Sequence, residues 1–263
     1  MKKFLLLIII ALGFTQSIEW VNILDGGALD RDEAHSASQT NDGGFIISGF
    51  MSYGNGLDNV WLVKTDIDGN ILWNKTFGGN GQDRSYSSQQ TSDGGYIIGG
   101  YTTTYGNGAK DFWLIKTDSE GDEEWNRTYG GNSYDYANSI QQTLDGGYII
   151  LGSTESFGSG QTDIWLVKTD SQGNQEWTST FGDDVGNFGL SVYQTSDNGY
   201  IISGRTSENI GGWDGMLIKV DFGGNEEWTK IFGGDGYESL DSVEQTLDGG
   251  YITAGHTNSI ECE

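Results

Sequence analysis

The chain has 263 residues, a formal net charge of -25 and a single cysteine, Cys262. A chain this acidic repels polyanions, which excludes nucleic acid and anionic membrane surfaces as partners. One cysteine cannot form an internal disulfide, so the stability of the fold must come from burial and strand pairing.

Residues 1–17 are predicted to be a signal peptide. Lys2 and Lys3 precede the apolar run from Phe4 to Leu12, and Thr15 and Ser17 supply small residues for cleavage. The run is too short for a permanent anchor and no later segment reaches about 18 apolar residues, which predicts no membrane insertion. The mature protein, residues 18–263, is expected to be secreted and extracellular.

A repeat of about 52 residues fills the mature chain. Each repeat starts near a recurring tryptophan: Trp20, Trp73, Trp125, Trp177 and Trp228. A turn such as Asp93-Gly94-Gly95-Tyr96 recurs in five copies, and a WL[VI]KTD segment recurs in three. This regularity is typical of a repeat architecture, and it predicts one domain built from about five copies.

Each repeat is predicted to contain four short strands and almost no helix, because no segment keeps a helical apolar period. In the second repeat the predicted strands are Ser87–Thr91, Tyr96–Thr102, Asp111–Asp118 and Glu123–Tyr129. The Asp-Gly-Gly turn is a hairpin signal, since glycine accepts a positive φ. Tight turns between all four strands predict an antiparallel meander.

The expected fold is all-β, a β-propeller with four-stranded blades and an incomplete last blade. Glycines such as Gly100 and serines such as Ser87 are interpreted as small residues of inner strands near an axis. The segment Ile18 to Leu24 would complete the last blade, whose third strand is missing after Thr257. A solenoid or a row of sandwiches is the alternative fold, and a truncated piece of a longer array is the alternative to a closed ring.

The segments QTSDGGYIIGG and DFWLIKTDSEGDEEW resemble a group of secreted bacterial and archaeal repeat proteins with DGGYII repeats. Tyr96-Ile-Ile-Gly-Gly followed by Trp113 and Trp125 also resembles kelch propellers. The run from Asp170 to Trp177 is similar to the docking motif of quinoprotein-like propellers, although it is one residue shorter between Asp and Gly. These resemblances imply an architecture and carry no activity with them.

Two sets of acidic residues are candidates for a metal site, with calcium as the only cofactor suggested. Asp66 and Asp68 precede Gly69 in a tight turn, and oxygen-rich glycine turns suit calcium. A second set recurs ahead of the first strand: Asp32, Asp83, Asp135 and Glu238. The alternative is structural, since such acids also stabilise hairpin turns and cap backbone amides.

Candidate ligand-binding residues lie where the repeats differ from one another. The position after the second-strand glycine holds Phe50, Tyr101, Arg205 and His256. Polar loops after the second strand carry the aromatics Tyr53, Tyr105, Phe157 and Trp213. These aromatics suit stacking on sugars or contact with a protein, and the alternative is that they fold back over their own strands.

The leading hypothesis is a non-catalytic extracellular repeat scaffold that binds a glycan or protein partner through its variable loops. Residues repeated in every unit serve the fold, and no catalytic motif or catalytic residue is identified. The alternatives are a secreted carbohydrate-active hydrolase using rim carboxylates and a ligand-free structural surface spacer. Enzyme activity therefore stays an open question at this point, with binding favoured.

Overall fold

The computed structural model describes residues 6–7, 22–23, 31–53, 56–207 and 212–259. Apart from Leu6 and Leu7, the predicted signal peptide lies outside these residues. The described residues form twenty strands, and none of them belongs to a helix long and apolar enough to cross a membrane. The first two strands, β1 (Leu6–Leu7) and β2 (Asn22–Ile23), pair with each other in antiparallel fashion.

The remaining strands form five antiparallel sheets in chain order. The first sheet contains β3 (Asp32–Gln39), β4 (Phe45–Ser52), β5 (Asp58–Thr65) and β6 (Ile71–Phe77). The second contains β7 (Asp83–Gln90), β8 (Tyr96–Thr102), β9 (Asp111–Thr117) and β10 (Glu123–Tyr129). The third contains β11 (Asp135–Gln142), β12 (Tyr148–Thr154), β13 (Asp163–Thr169) and β14 (Gln175–Phe181). The fourth contains β15 (Asn187–Gln194), β16 (Tyr200–Thr206), β17 (Asp214–Val220) and β18 (Glu226–Phe232), and the fifth contains β19 (Glu238–Gln245) and β20 (Tyr251–Thr257).

The predicted meander is confirmed strand by strand in the second repeat. The main difference is in the first strand, because β7 begins at Asp83 rather than at Ser87, while β7 and β9 each end one residue earlier than predicted. Asp83 pairs with Thr102, and a bulge between Ser85 and Ser87 lets the strand continue past the irregularity. The recurring acid is therefore the first residue of the strand and does not precede it.

The Asp-Gly-Gly turn connects the first and second strands as predicted. In the second sheet, Gly94 has a φ of 89°, and the Asp93 carboxylate accepts a hydrogen bond from the Gly95 amide at 3.0 Å. The Thr91 amide donates to the Gly95 carbonyl at 2.9 Å and closes the hairpin. A residue with a Cβ is strained at a φ of this sign, which explains the recurring glycine.

The predicted propeller is wrong. The described residues form separate sheets of four, four, four, four and two strands, and none of the sheets closes or curls into a ring. Each sheet packs on its neighbours in sequence, as β4 packs on β7 and β16 on β19, and in the described part of the chain the first sheet makes no comparable contact with the fifth. The strand β2, which lies in the segment expected to complete the last blade, pairs with β1 and not with β20.

The core lies between successive sheets. Between the first and second sheets, Ile46 and Leu62 pack against Tyr96 and Trp113, and all four are at most 5 % exposed. Equivalent clusters join the second sheet to the third and the third to the fourth. A sheet with apolar residues on both faces must be covered on both, and stacking satisfies that need without ring closure.

Backbone amides along the outer edge of the first strands donate hydrogen bonds to side chains of the preceding sheet. The Ile140 amide donates to Ser87 Oγ at 3.2 Å, and the Val192 amide donates to Ser139 Oγ at 3.2 Å. Glutamines act in the same way, since the Gln142 amide donates to Gln89 Oε1 at 3.0 Å. The recurring serines therefore bind the next sheet, which replaces the interpretation that they line an axis.

The recurring glycine of the second strand also has a local cause. A Cβ built on Gly152 would lie 1.8 Å from the Tyr136 carbonyl oxygen, and one on Gly100 would lie 1.9 Å from that of Arg84. Both carbonyls belong to the bulged part of the adjacent first strand. The bulge brings backbone so close that only glycine fits opposite it.

Candidate functional site

The recurring acid at the start of each first strand is engaged in loop contacts. Asp135 is fully buried, and it accepts hydrogen bonds from Thr154 Oγ1, from Ser156 Oγ at 2.8 Å and from the Gly131 amide at 2.9 Å. The equivalent contacts of Asp83 come from Thr102, Thr104 and Gly79, and those of Glu238 from Thr257, Ser259 and Gly234. Asp32 lies at the same position in the first sheet and accepts from the Ser52 amide at 3.3 Å. These acids hold the loop after the second strand in place.

The turn acids Asp66 and Asp68 do not converge on a cation site. Asp66 accepts a hydrogen bond from the Asn70 amide at 2.8 Å and another from Asn70 Nδ2 at 2.9 Å. The side-chain bond from Asn70 is the main cause that lowers the pKa of Asp66. Asp68 is exposed, and within the described ranges no three His, Cys, Asp or Glu side chains are grouped to hold a metal.

The lysine of each third strand is buried and fully paired with acids. Lys116 is 3 % exposed, and its ammonium lies 2.9 Å from both the Asp93 and the Glu124 carboxylates. Lys168 and Lys219 repeat the arrangement with the turn acid and the fourth-strand glutamate of their own sheets. Burial opposes the charge of Lys219, yet the bonds to Asp197 and Glu227 raise its pKa. These lysines stabilise the sheets and are not available to a ligand.

A different set of side chains gathers at the rim where the first strands begin and the second strands end. We call it the aromatic rim, and it consists of His35, Phe50, Arg84, Tyr86, Tyr101, Lys110, Tyr134 and Tyr136. The rings touch in succession: His35 stacks on Tyr86 at 4.7 Å between centroids, and Tyr101 meets Tyr136 edge-on at 5.7 Å. The rim crosses the first three sheets because each sheet contributes a ring or a cation to it.

Arg84 and Lys110 lie against these rings. Arg84 lies 4.1 Å from the Phe50 centroid and is paired with the buried Asp58 carboxylate. Lys110 Nζ lies 4.1 Å from the Tyr101 centroid and 4.8 Å from that of Tyr136. Burial and, secondly, the nearby Arg84 charge lower the pKa of Lys110, while burial raises the pKa of Tyr101 and Tyr136. The tyrosines therefore stay neutral and present ring faces and hydroxyls beside a cation.

Exposure differs along the aromatic rim. Phe50 and Tyr101 are 1 % and 2 % exposed, so they form its floor and cannot make broad contact with a ligand. Tyr86, Lys110 and Tyr136 are partly exposed, and Tyr134 is 42 % exposed and stacks on Tyr136 at 6.1 Å. The accessible surface is thus made by residues that surround the two predicted ones.

A second cluster repeats this chemistry between the fourth and fifth sheets. Arg205 lies 5.2 Å from the Phe188 centroid, 5.0 Å from that of Trp213 and 5.4 Å from that of Tyr237, whose hydroxyl it also contacts. Tyr237 stacks on His256 at 5.1 Å. The predicted residues Arg205, Trp213 and His256 therefore come together in one place.

The loop aromatics behave differently. Tyr105 packs on Trp113 at 5.4 Å and donates its hydroxyl to the Gly78 carbonyl at 3.2 Å, and Phe157 packs on Trp165 at 5.0 Å. Both fold back over their own sheet, which was the alternative interpretation, although each keeps more than 40 % of its surface exposed. Tyr53 is 53 % exposed.

Sequence reasoning missed Arg84, Tyr86, Lys110 and Tyr136. The usable signal was the strand register, because the variable second-strand position pairs with a variable first-strand position: Arg84 lies opposite Tyr101, and Phe188 lies opposite Arg205. Lys110 stands in an isolated bridge just before the third strand, at the position that holds Asp58 and Trp213 in other repeats. Three variable positions per repeat therefore converge on one rim.

Comparison with known proteins supports the fold only. No family model matches the chain, and no curated protein matches it at significant similarity. The chain is similar to a crystal structure of a protein of unknown function from Dyadobacter fermentans, with 13 % identity, a TM-score of 0.54, and coverage of 84 % of this chain and 74 % of that one. It also matches a tail fibre of Staphylococcus aureus phage P68 at 11 % identity over 78 % of this chain and 50 % of that chain, but the TM-score of 0.24 is too low to support an argument.

Proposed function

We propose that the protein is a non-catalytic extracellular scaffold that binds a glycan bearing carboxylate groups on the aromatic rim. The observation that carries this proposal is Lys110. Its ammonium is held between the rings of Tyr101 and Tyr136, and within the described residues it has no carboxylate partner. The third-strand lysines, in contrast, are each neutralised by turn acids.

The chemistry of such a ligand follows from the rim. Ring faces of Tyr86, Tyr134 and Tyr136 suit the apolar faces of sugars, and tyrosine hydroxyls supply hydrogen bonds at the ring edges. Lys110 would pair with a carboxylate in a chain that otherwise repels anions. A long glycan could follow the rim across several sheets, because the rim continues from one sheet to the next.

The same proposal includes export and a relationship to secreted repeat proteins with DGGYII repeats. It is supported by the basic and apolar start of the chain and by the recurring turn, in which a glycine adopts a positive φ in four sheets and Asn198 does so in the fourth sheet. The hydrolase alternative is less well supported, because the rim carboxylates of Asp83, Asp135 and Glu238 accept bonds from their own loops.

The test is binding of the full chain to a panel of neutral and uronic-acid polysaccharides, with the released sugar measured in parallel. Lys110→Gln should weaken binding to carboxylated glycans at least about tenfold, since a charge-assisted bond contributes about 1.5–3 kcal/mol. Tyr134→Ala should weaken it by up to about tenfold, since it removes a stacking ring face that contributes about 0.5–1.5 kcal/mol. Phe222→Ala is the control, because Phe222 is 74 % exposed in a distant hairpin turn.

Three results would contradict the proposal. If both rim substitutions leave binding unchanged, the binding site lies outside the aromatic rim. Sugar release that stops on substitution of a single carboxylate would favour the hydrolase instead, and flat binding across the panel would favour a structural spacer.

A further inference from the structure

The outer edge of β20 differs from the equivalent edge in the four complete sheets. In the four complete sheets the second strand pairs with the first on one side and with the third on the other. Among the described residues, β20 pairs only with β19. Its outer edge therefore presents backbone donors and acceptors that another strand can pair with.

The turn beside this edge carries an acid whose repeated partner is missing. In each complete sheet a third-strand lysine bonds the turn acid: Lys64 with Asp42, Lys116 with Asp93, Lys168 with Asp145 and Lys219 with Asp197. Asp248 occupies the same turn and accepts from Thr246 Oγ1 at 2.5 Å and from the Gly250 amide at 3.2 Å. No lysine among the described residues lies against it.

The edge also has a slot for a large apolar side chain. In all four complete sheets the strand glycine lies opposite a third-strand Trp or Met, as Gly152 lies opposite Trp165 and Gly204 opposite Met216. Within the described ranges Gly255 has no such neighbour, and an open cleft of about 260 Å³ lies beside it, lined by Phe232, Leu240 and His256 among others. Phe232 is 42 % exposed, whereas its equivalent Phe181 is 8 % exposed and packs in the core with Met216.

We infer that the β20 edge binds an extended strand of another polypeptide in which a tryptophan is followed three residues later by a lysine. Antiparallel pairing in the register of β12 with β13 would place the tryptophan opposite Gly255 and against Phe232. The same register brings the lysine to Asp248. The backbone edge supplies pairing, the cleft selects the aromatic side chain, and the acid selects the cation.

The test uses a labelled peptide copying residues 163–181, which carries Trp165 and Lys168 in the required spacing. We expect saturable binding to the full chain by fluorescence polarisation. Peptides with Trp165→Ser or Lys168→Glu should bind at least about tenfold more weakly, because each removes an anchor. Asp248→Asn in the protein should weaken the binding of the unaltered peptide to a similar extent.

The matched control is Asp93→Asn, which alters the same turn in a sheet whose third strand is present, and it should leave peptide binding unchanged. Circular dichroism of both variants checks that the fold is kept. Absence of binding, or equal binding of the Lys168→Glu peptide, would overturn the inference. So would a chain that dimerises and then no longer takes up the peptide, since a second copy would then occupy the edge.

Discussion

The glycine in the middle of each second strand lies opposite the bulge of the adjacent first strand. At Gly152 the constraint comes from distance, because the Tyr136 carbonyl oxygen lies where a side chain would begin. At Gly146 the constraint comes from conformation, since its φ is 85° and nothing lies within 4 Å of an added Cβ. One residue type therefore recurs for two separate physical reasons.

These two constraints predict different stability losses. Gly146→Ala should lower the free energy of unfolding by about 1 kcal/mol, the cost of a positive φ for a residue with a Cβ. Gly152→Ala should lower it by about 3 kcal/mol, because strand backbone must move to relieve the clash. Urea denaturation of the two variants measures both values. Equal losses would contradict the role given to the bulge.

The turn acids predict a dependence of stability on pH. The Thr195 hydroxyl, together with the Lys219 ammonium and the Gly199 amide, holds the pKa of Asp197 at about 2 against the opposing effect of burial. The folded state thus binds fewer protons than the unfolded state between about pH 2 and pH 4, so acid destabilises it there. The stability that the Asp197 carboxylate contributes is complete above the ordinary carboxyl pKa of 3.8 and is lost as the pH falls through about 2.

Asp197→Asn isolates this effect from the titration of the other acids. The stability difference between the unaltered chain and the variant should be constant from pH 7 to about pH 5 and should shrink toward pH 2. Urea midpoints across that range provide the measurement. A difference that stays constant down to pH 2 would mean that the carboxylate charge does not stabilise the turn.

At the scale of the element, the first strand is the part of each sheet that needs its neighbour. Its edge amides are not paired within their own sheet, and serine and glutamine side chains of the preceding sheet accept from them. The equivalent serine of the fifth sheet, Ser242, is exposed, and no further sheet follows it in the described part of the chain.

This asymmetry gives a matched pair of substitutions. Ser139→Ala should lower the free energy of unfolding by about 1–3 kcal/mol, because it leaves the buried Val192 amide without its acceptor. Ser242→Ala should change stability by less than about 0.5 kcal/mol, as expected for an exposed position. Chemical denaturation compares them, and similar losses would show that the serine acts within its own sheet.

Strand positions were predictable because their signals are local. The alternation of apolar residues and the Asp-Gly-Gly turn predicted Tyr96–Thr102 and Glu123–Tyr129 with the bounds that the structure gives. The start of β7 was missed because the bulge at Ser85 hides the pairing of Asp83 with Thr102. A bulge depends on the partner strand, so the sequence of one strand does not reveal it.

The arrangement of the sheets was not predictable in the same way. Sheets can stack in an open row or be arranged around a ring. Both arrangements require apolar residues on both faces of each sheet, so the sequence pattern does not distinguish them. The small residues that suggested an axis serve the bulge and the edge bonds instead. The candidate site was half predicted: Phe50 and Tyr101 belong to it, but Lys110 comes from a position that only the fold brings near them.

An open stack of sheets predicts that one repeat can be removed. Deleting residues 143–194 joins Gln142, the last residue of β11, to Thr195, the residue that follows β15, so that β11 replaces β15 as the first strand of the fourth sheet. The shortened chain should still fold, with a cooperative but less stable transition, because the fourth sheet then stacks on the second. Thermal melting by circular dichroism and light scattering test this. Loss of folding would indicate a contact between distant sheets.

The bonds between first strands place the effect of a substitution outside its own sheet. Ser139 lies in β11, yet the amide that depends on it belongs to Val192, 53 residues later. Gln141 and Gln194 are linked over the same interval. The effects of substitutions along the chain should therefore be correlated between positions one repeat length apart. Hydrogen exchange of the first-strand amides in one sheet should change when side chains of the preceding sheet are substituted.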